Sequence, residues 1–352
     1  MVANKTLVFK KIPTGLPVPG EHLAVEQRPF DLEAVPTGGL IVEVLTQSLD
    51  PYLRSRMRDP SIPSYKPAFT LNEPIVNFGL GRVLKSDTDK YRASDAVLAI
   101  LPFAQYAALT SEDLQNPEMD VKKVDNPYNL DLDYFLGPLG MPGLTGFSSL
   151  YKIGQPKKGE TIFISSAAGA VGSIVGQLAK REGLTVIGSV GSDDKLDFII
   201  NELGFDAGFN YKKERPWDAL KRLAPNGIDI YYENVGGEHL EAALEAIKLR
   251  GRIVVSGMIE GYNKPLEERF GVRNLVEMFA KRLTMIGFLV TDEDMGPAYT
   301  QKHQETVQKW IAEGSFKAKL HVTRGLDHAG EGFLEIFQGK NFGKAILKIK
   351  ED

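Results

Sequence analysis

The sequence predicts an α/β protein that combines a doubly wound parallel sheet with a smaller, mostly antiparallel β barrel. From residue 160 onward, short apolar strands alternate with helices, which is the pattern of a parallel sheet covered on both faces. Residues 1–130 instead contain short strands bounded by Pro, Gly or Asp, without long helical periodicity. A glycine-containing turn between a strand and a helix at residues 161–180 indicates a nucleotide site.

Length and composition restrict the classes of function. A chain of 352 residues is expected to form two domains. The net charge of −4, without a basic block, gives nucleic-acid binding no electrostatic support. The chain contains no cysteine, so disulfides and a thiolate zinc site are not expected. No apolar run reaches the roughly 20 residues of a membrane span, and the N-terminus has no apolar targeting core. We therefore expect a cytoplasmic protein without nucleic-acid or membrane partners.

The first 130 residues are predicted to form the barrel. Its strands are expected at Leu7–Lys11, His22–Gln27, Leu40–Gln47, Phe78–Leu84 and Asp95–Ile100. Residues 131–158 follow as a bridge that is rich in Gly and Pro and becomes helical through Tyr151. Residues 319–352 return to a strand–helix–strand pattern, and we expect this tail to rejoin the first domain.

The turn after the first strand of the parallel sheet carries the main functional signal. A buried strand at Thr161–Ser165 is followed by the small residues Ala167–Gly172 and by a helix through Lys180. This is the first βαβ unit of a dinucleotide-binding fold, in which a helix N-terminus faces a pyrophosphate. Gly169 lets the backbone approach the phosphates, and Gly172 lets the helix lie close to the strand. Since Ala167 stands where the first glycine of GxGxxG is usual, a turn that only caps a structural helix remains the alternative.

The end of the second strand, Leu184–Val190, favours one cofactor over another. An NAD site needs Asp or Glu there to bind the ribose 2′-hydroxyl. The chain instead continues with Gly191 and Ser192, and Lys195 follows one turn into the next helix. We interpret Asp193 and Asp194 as first-turn helix carboxylates that point to solvent. A 2′-phosphate is accommodated by this arrangement, so NADP is expected rather than NAD.

The remaining elements continue the alternation and bring the sheet to six parallel strands. Further strands are predicted at Ala207–Asn210, Ile228–Asn234, Arg252–Ser256 and Leu283–Val290. Further helices are predicted at Lys195–Leu203, Trp217–Leu223, Glu238–Lys248, Val272–Lys281 and Tyr299–Ala312.

Five short segments, in the same order along the chain, resemble one known family. They are Asp50–Arg54, Gly140–Thr145, Ala167–Gly172, Tyr232–Gly237 and Asn341–Lys344. The chain is similar from end to end to the zinc-independent medium-chain dehydrogenase/reductases. More narrowly, it resembles the leukotriene B4 dehydrogenase / prostaglandin reductase and plant alkenal double-bond reductase group. The resemblance implies a GroES-like barrel of residues 1–130, completed by residues 317–352, a Rossmann domain of residues 131–316, and a homodimer.

The activity implied by the resemblance is NADPH-dependent reduction of the C=C bond in α,β-unsaturated aldehydes and ketones. Asp50-Pro51 stands where zinc-dependent relatives carry a ligand cysteine, so no metal is expected. The matching loop implies that Tyr262 donates a hydrogen bond to the substrate carbonyl while hydride reaches the β-carbon. Tyr52 is implied to line the substrate pocket as the second catalytic tyrosine. A loop tyrosine that packs on the bridge segment remains the alternative for Tyr262.

The residues expected to contact the cofactor come from the turn, from the strand ends and from the family motifs. They include two bridge residues, the residues that follow several strands, and two residues of the returning tail. The full set is Met141, Thr145, Ala168, Gly169, Ala170, Val171, Gly172, Gly191, Ser192, Lys195, Tyr211, Asn234, Ser256, Phe288, Val290, Asn341 and Lys344.

Three other functions stay open at this stage. A quinone reductase shares the fold and also lacks zinc, although the Asp-Pro-Tyr and Tyr262 segments argue against it. A nucleotide-binding structural or regulatory protein would bind NADPH tightly without turning over an enone. An enoyl-thioester reductase would need a basic channel for a phosphopantetheine, and no such cluster is visible in the sequence.

Overall fold

The structure is a computed structural model that describes residues 1–350. The chain divides into two compact units. The first unit contains Met1–Leu136, Leu320–Asn341 and the tail from Ala345 onward, and the second contains Gly137–Lys319 and Phe342–Lys344. Across the described residues, none of the helices has the length and apolar character needed to cross a membrane.

Antiparallel strands make up most of the first unit. β1 (Val2–Phe9) pairs with β2 (Leu23–Phe30) in a two-stranded sheet. A larger sheet has the order β14-β15-β3-β4-β5-β7, with β6 also paired to β3. Its strands are β3 (Leu40–Ser48), β4 (Val76–Ser86), β5 (Ala96–Pro102), β6 (Tyr106–Leu109), β7 (Lys122–Lys123), β14 (Leu320–Arg324) and β15 (Lys344–Lys348). Among its described residues, this unit has two α-helices, α1 (Leu53–Arg56) and α9 (Ala329–Phe337).

Alternating β-branched and aliphatic residues build the core of this larger sheet. Leu40, Val42 and Val44 of β3 are fully buried and pack with Val83 of β4 and Val97 of β5. β-Branched and aliphatic side chains fit the pleated surface of a sheet, and their burial there stabilises the fold. The sheet thereby holds the end of β3 and the start of β4 in fixed register.

Six parallel strands form the sheet of the second unit, in the order β10-β9-β8-β11-β12-β13. The strands are β8 (Thr161–Ile164), β9 (Thr185–Val190), β10 (Ala207–Asn210), β11 (Ile228–Glu233), β12 (Ile247–Val255) and β13 (Thr284–Gly287). The α-helices are α2 (Met141–Ser149), α3 (Gly172–Arg181), α4 (Asp193–Asp197), α5 (Pro216–Leu223), α6 (Gly237–Ala246), α7 (Val276–Ala280) and α8 (Gly296–Ala312).

The strand order locates the ligand-binding edge of this sheet. From β8 the chain builds outward through β9 and β10, and then returns to build β11, β12 and β13 on the other side. The topological switch point therefore lies between β8 and β11. Ligands of open α/β sheets bind beyond the carboxyl ends of the strands at such a point.

The predicted fold class is confirmed, but several element bounds were wrong. The helix predicted at Lys195–Leu203 begins earlier, as α4, and continues as a π-helix over Phe198–Glu202. The helix predicted at Val272–Lys281 is reduced to α7. The strand predicted at Leu283–Val290 ends at Gly287, because the Leu289 N–H turns back to donate to the Asp292 carboxylate at 2.9 Å.

Strand β1 begins at Val2 rather than at the predicted Leu7. The polar residue Asn4 obscured the strand in the sequence, because it falls on a buried position. Its side chain exchanges two hydrogen bonds of 3.0 Å with the Tyr106 backbone of β6. The Asn4 side-chain amide thus forms the pair of hydrogen bonds that the backbone of a neighbouring strand would form. Neither that pairing nor β6 itself was predicted.

Candidate active site

The turn between β8 and α3 allows close approach by a phosphate. A Cβ on Gly172 would lie 2.4 Å from the Ser166 carbonyl oxygen, and a Cβ on Gly169 would lie 2.9 Å from the Ser166 Oγ. Both positions therefore exclude side chains. Backbone N–H groups at the start of the ten-residue helix α3 favour an anion in front of this turn. The expected cofactor contacts in the turn are Ala168, Gly169, Ala170, Val171 and Gly172.

A short segment of the C-terminal tail lies against this turn. The Gly343 N–H donates to the Ala168 carbonyl at 3.0 Å, and Gly343 forms an isolated parallel bridge with Gly169. Lys344 follows in the same segment and is buried. Asn341 directly precedes the segment. The tail therefore reaches the phosphate turn through Phe342–Lys344, which belong to the second unit.

Small and cationic residues surround the end of β9. A Cβ on Gly191 would lie 3.1 Å from the Tyr211 hydroxyl, so that hydroxyl sits over the Gly191 backbone. Ser192 caps α4 by accepting the Lys195 N–H at 3.4 Å. Burial and the charge of nearby Lys212 lower the pKa of Lys195. The structure thus brings together the predicted residues of the 2′-phosphate side and adds a second cation, Lys212.

The carboxylate of Asp193 was interpreted in the sequence as pointing to solvent. Its side chain is exposed but not free, because it accepts from Asn210 Nδ2 at 3.0 Å and from the Lys213 ammonium. These two partners lower the pKa of Asp193. The negative charge of Asp193 is therefore paired with Lys213, which follows β10, and with the Asn210 amide at the end of β10.

Asn234 connects the carboxyl ends of the two strands that flank the switch point. Its backbone N–H donates to Ser165 Oγ at 2.9 Å, and its Nδ2 donates to the Ser165 carbonyl at 2.8 Å. The Asn234 carbonyl in turn accepts the Ile259 N–H at 3.3 Å. The residue predicted to contact the nicotinamide end of the cofactor is thus fixed between β8, β11 and the loop after β12.

Tyr262 lies at the same edge of the sheet. It follows a single turn of 3-10 helix, Ile259–Gly261, and its N–H donates to the Ile259 carbonyl at 3.2 Å. A Cβ on Gly257 would lie 3.4 Å from the Tyr262 hydroxyl and 3.9 Å from the Asn234 carbonyl oxygen. The phenol is therefore directed back over the strand end and toward Asn234. Ser256, another predicted contact, is the first residue after β12.

Glu233 is a buried carboxylate that the sequence analysis did not consider. Its Oε1 accepts the N–H groups of Val235 and Gly236 at 2.7 and 2.8 Å and the Tyr231 hydroxyl at 2.8 Å. Burial nevertheless raises the pKa of Glu233. A carboxylate as the last residue of an apolar strand was the signal that could have identified it. Its role in the structure is to shape the loop that carries Asn234.

The bridge helix α2 is attached to β11 through a pair of hydroxyls. Thr145 Oγ1 donates to the Met141 carbonyl at 2.7 Å, and Ser149 Oγ donates to the Thr145 carbonyl at 2.7 Å. Ser149 Oγ also lies 2.7 Å from the Tyr232 hydroxyl, whose pKa burial raises to about 12. Met141 and Thr145, both predicted as cofactor contacts, therefore occupy one rigid helix of the second unit.

Phe288 and Val290 were expected at the end of the sixth strand. They lie instead in the turn after β13, where the Val290 carbonyl accepts the Gly296 N–H at 2.9 Å. This contact starts α8, so the two residues belong to a strand-to-helix connection. Their expected contact with the nicotinamide stays a prediction.

Tyr52 belongs to the first unit and is part of a buried polar network. Its hydroxyl donates to Asn77 Oδ1, and Asn77 Nδ2 donates to the Ser48 carbonyl and to Asp50 Oδ2, each at 2.8 Å. Ser48 Oγ donates to the same Asp50 oxygen. Burial and the Asp50 charge raise the pKa of Tyr52 well above its usual value. The phenol is therefore neutral and firmly oriented.

Within residues 1–350, no three His, Asp or Glu side chains are grouped in a way that could hold a metal ion. In the second unit, several predicted site residues follow the carboxyl ends of parallel strands. They are the turn after β8, Gly191 and Ser192 after β9, Asn234 after β11, and Ser256 and Tyr262 after β12.

Comparison with known proteins identifies the class. The family described as "Zinc-binding dehydrogenase" matches residues 170–305, and "N-terminal domain of oxidoreductase" matches residues 5–116. An NADP-dependent oxidoreductase from Cochliobolus heterostrophus is 51% identical, over 100% of this chain and 99% of the relative. A 2-alkenal reductase (NADP(+)-dependent) from Nicotiana tabacum is 39% identical, over 100% and 99%. The crystal structure of CurA from Vibrio vulnificus in complex with NADPH has 31% identity and a TM-score of 0.89, and covers 99% of this chain and 100% of that one.

Fold, site and comparisons together define an NADP-dependent oxidoreductase. The chain belongs to the zinc-independent medium-chain dehydrogenase/reductases, in the group that includes alkenal reductases. The residues fit the cofactor NADP(H). Side chains at Gly169 and Gly172 would clash with Ser166, and the glycines leave the backbone of the turn open to a phosphate. In addition, Gly191 and Ser192 directly after β9 carry no carboxylate, and Asp193 is paired with Asn210 and Lys213.

Proposed function

We propose that this protein is an NADPH-dependent reductase of the C=C bond in α,β-unsaturated aldehydes and ketones. The observation that carries the proposal is the position of the Tyr262 hydroxyl, over Gly257 and beside Asn234 at the switch-point edge of the sheet. Likeness to the tobacco 2-alkenal reductase supports the same substrate class. We further propose that the predicted contacts named above hold the cofactor, with Lys195 and Lys212 toward its 2′-phosphate.

The proposed chemistry requires a donor for a developing oxyanion. Bound NADPH supplies a hydride to the β-carbon. The π electrons of the C=C bond then shift toward the carbonyl oxygen, which becomes an enolate oxygen. The Tyr262 O–H donates a hydrogen bond to that oxygen, and a proton taken from solvent at the α-carbon completes the saturated carbonyl product. A single donor of this kind contributes about 2.7–4 kcal/mol to transition-state stabilisation.

Kinetics of a Tyr262→Phe variant test this role. We expect kcat for a simple 2-alkenal to fall on the order of a hundredfold or more, since the ring stays and only the donor is lost. Tyr299→Phe is a matched control, because Tyr299 lies on α8 and makes ring contact with Phe147. Turnover that survives Tyr262→Phe would contradict the proposal. Reduction of quinones without any reduction of enals would favour a quinone reductase instead.

We also propose that the protein is a homodimer. β13 is an edge strand of the second unit's sheet, and Ile286 on it is exposed. Leu275, Val276 and Phe279, on and beside α7, are exposed as well, and Phe279 has 82% of its surface accessible. An apolar edge of this kind favours pairing with a second copy of the chain.

A further inference from the structure

Glu233 gathers several hydrogen-bond donors at the end of β11 with a single carboxylate oxygen. The side chain is fully buried. Its Oε1 accepts the Tyr231 hydroxyl and the N–H groups of Val235 and Gly236 at 2.8, 2.7 and 2.8 Å. The two N–H groups directly precede helix α6, where backbone donors favour an anion. The protein fills that position with its own side chain, so the residues after β11 are held from the inside.

The carbonyl side of the same short segment holds the loop after β12. The Glu233 carbonyl accepts the Ser256 N–H at 2.9 Å, and the Val235 carbonyl accepts the Glu260 N–H at 3.0 Å. One short piece of backbone therefore connects the Glu233 carboxyl group to the loop of residues 256–260. A shift of that carboxyl group would reach the loop through these hydrogen bonds.

The strand order indicates which half of the cofactor meets these two strand ends. The turn between β8 and α3 accommodates the pyrophosphate, and the orientation proposed above directs the 2′-phosphate toward Lys195, after β9. β9 lies on one side of β8, and β11 and β12 lie on the other. We therefore expect a dinucleotide that crosses the switch point to extend its nicotinamide half past the ends of β11 and β12. We take from the proposed function only this orientation, and nothing about the substrate.

We propose that Glu233 is a positioning residue for the nicotinamide half of NADP(H): its carboxyl oxygen fixes residues 234–236, and these fix the loop of residues 256–260 against which that half binds. Within residues 1–350, no protein group forms a hydrogen bond with Glu233 Oε2. The segment therefore uses one acceptor oxygen at the correct reach. The length of the side chain matters for this role, and its charge does not.

Two ligands that differ in the nicotinamide measure this role. They are NADPH and 2′-phospho-ADP-ribose, which lacks the nicotinamide ring. The readout is the ratio of Kd for 2′-phospho-ADP-ribose to Kd for NADPH, measured by isothermal titration calorimetry on the full chain. A general loss of structure weakens both ligands together and leaves this ratio unchanged. Wild-type protein should bind NADPH more tightly, and equal affinities for the two ligands would overturn the proposal.

Two conservative variants separate the reach of the side chain from its charge. Glu233→Gln keeps an oxygen at the position of Oε1, so its ratio should stay within about twofold of wild type. Glu233→Asp keeps the charge but withdraws the oxygen by one methylene, so its ratio should fall about fivefold, as the loss of one neutral hydrogen bond predicts. An unchanged ratio in Glu233→Asp, or a fall in Glu233→Gln that is as large, overturns the proposal.

A matched pair of larger changes provides the control. Glu241 is a second mostly buried carboxylate, on α6, and it pairs with Arg273 at 2.7 Å. Glu233→Met should lower the ratio at least as far as Glu233→Asp, whereas Glu241→Met should lower only Tm. An equal fall of the ratio in Glu241→Met would overturn the positioning role. If Glu233→Met does not fold, as judged by thermal unfolding, Glu233→Gln and Glu233→Asp still decide.

The outcomes separate this inference from the proposed function. Protein that shows the expected ratios but reduces no 2-alkenal overturns the proposed function and leaves the role of Glu233 intact. Protein that reduces 2-alkenals with a ratio that none of the Glu233 variants changes overturns only the positioning role.

Discussion

We propose that individual side chains after β9 and β10 determine which cofactor the protein prefers. Lys212 lies close enough to Lys195 to lower its pKa, and the Asp193 carboxylate accepts hydrogen bonds from Asn210 and Lys213. The site therefore favours an added phosphate. Charge-assisted hydrogen bonds of this type contribute about 1.5–3 kcal/mol each.

Replacement of Lys195 should change cofactor selectivity. We expect Lys195→Ala to reduce the ratio of kcat/KM for NADPH to kcat/KM for NADH by roughly ten- to a hundredfold, with little effect on NADH itself. Lys221→Ala on the exposed side of α5 serves as the control for loss of a positive charge. A ratio that stays the same in Lys195→Ala would place the 2′-phosphate elsewhere.

Glu233 gives the protein a specific pH response. Because burial raises the pKa of Glu233 in the folded state, its contribution to stability is present below the unfolded pKa and is lost as pH rises through the folded pKa. The Glu233→Gln variant has a neutral side chain at every pH, so it does not lose this stability as the pH rises. The Tm of Glu233→Gln, relative to that of wild type at the same pH, should therefore rise from pH 5 to pH 8.

A second glutamate provides the opposite control for this measurement. Arg273 lowers the pKa of Glu241, so Glu241 stabilises the fold above its unfolded pKa and loses that effect as pH falls. Glu241→Gln should accordingly become less favourable as the pH rises to about 5, and its difference in Tm from wild type should stay level from there to pH 8. Parallel pH profiles for the two variants would contradict the assignment for Glu233.

At the scale of single residues, the sequence was informative where chemistry is local. The glycine turn and the absence of a carboxylate directly after β9 are properties of adjacent residues. Glu233 was missed because its partners, Tyr231, Val235 and Gly236, become meaningful only once the strand end bends around it. The direction of the Asn77 amide depends on residues 27 and 29 positions away, and no local pattern shows that.

Among the elements, helix α2 depends on one close backbone contact. A Cβ on Gly143 would lie 1.8 Å from the Pro138 carbonyl oxygen and 2.9 Å from His303 Nε2. The same carbonyl accepts a hydrogen bond from His303 Nε2–H of α8 at 2.9 Å. Gly143 therefore allows α2, α8 and the residues before α2 to pack together.

Substitution of this glycine should weaken the second unit. We expect Gly143→Ala to lower the free energy of unfolding by about 1–3 kcal/mol, because the clash is with backbone that cannot rotate away. Gly271→Ala is the matched control, since a Cβ at Gly271 meets nothing within 4 Å. Urea denaturation of both variants measures the difference. Equal stability of the two would contradict the packing described for α2.

Predictions of whole elements succeeded where periodicity was long and failed at their ends. The alternation of strands and helices identified the six parallel strands, and β10 was placed at Ala207–Asn210 as predicted. The strand β13 and the helix α7 were predicted to be longer than they are. Their termination depends on contacts such as Leu289 with Asp292, which hydrophobic patterns do not encode.

The molecule as a whole combines two units whose chain segments interleave near the C-terminus. The strand–helix–strand pattern of the tail predicted its return to the first unit. The excursion of Phe342–Lys344 into the second unit was not visible in that pattern, because it is only three residues long and is fixed by Gly343 against Ala168. Only the family resemblance pointed to Asn341 and Lys344.

Assembly into a dimer is testable at this scale. Phe279→Asp places a charge in the exposed apolar edge beside β13, and we expect it to shift the protein from dimer to monomer in light scattering after size-exclusion chromatography. Ile62→Asp, at an exposed apolar residue of the first unit, should leave the mass unchanged. A wild-type protein that is already monomeric would contradict the proposed homodimer.

The carbon that receives the hydride distinguishes C=C reduction from carbonyl reduction. NADPH deuterated at the transferable C4 position is incubated with the wild-type protein and a 2-alkenal, and the product is analysed by mass spectrometry and NMR. We expect a saturated aldehyde with deuterium on the former β-carbon. An allylic alcohol with deuterium on the former carbonyl carbon would contradict the proposed C=C reduction.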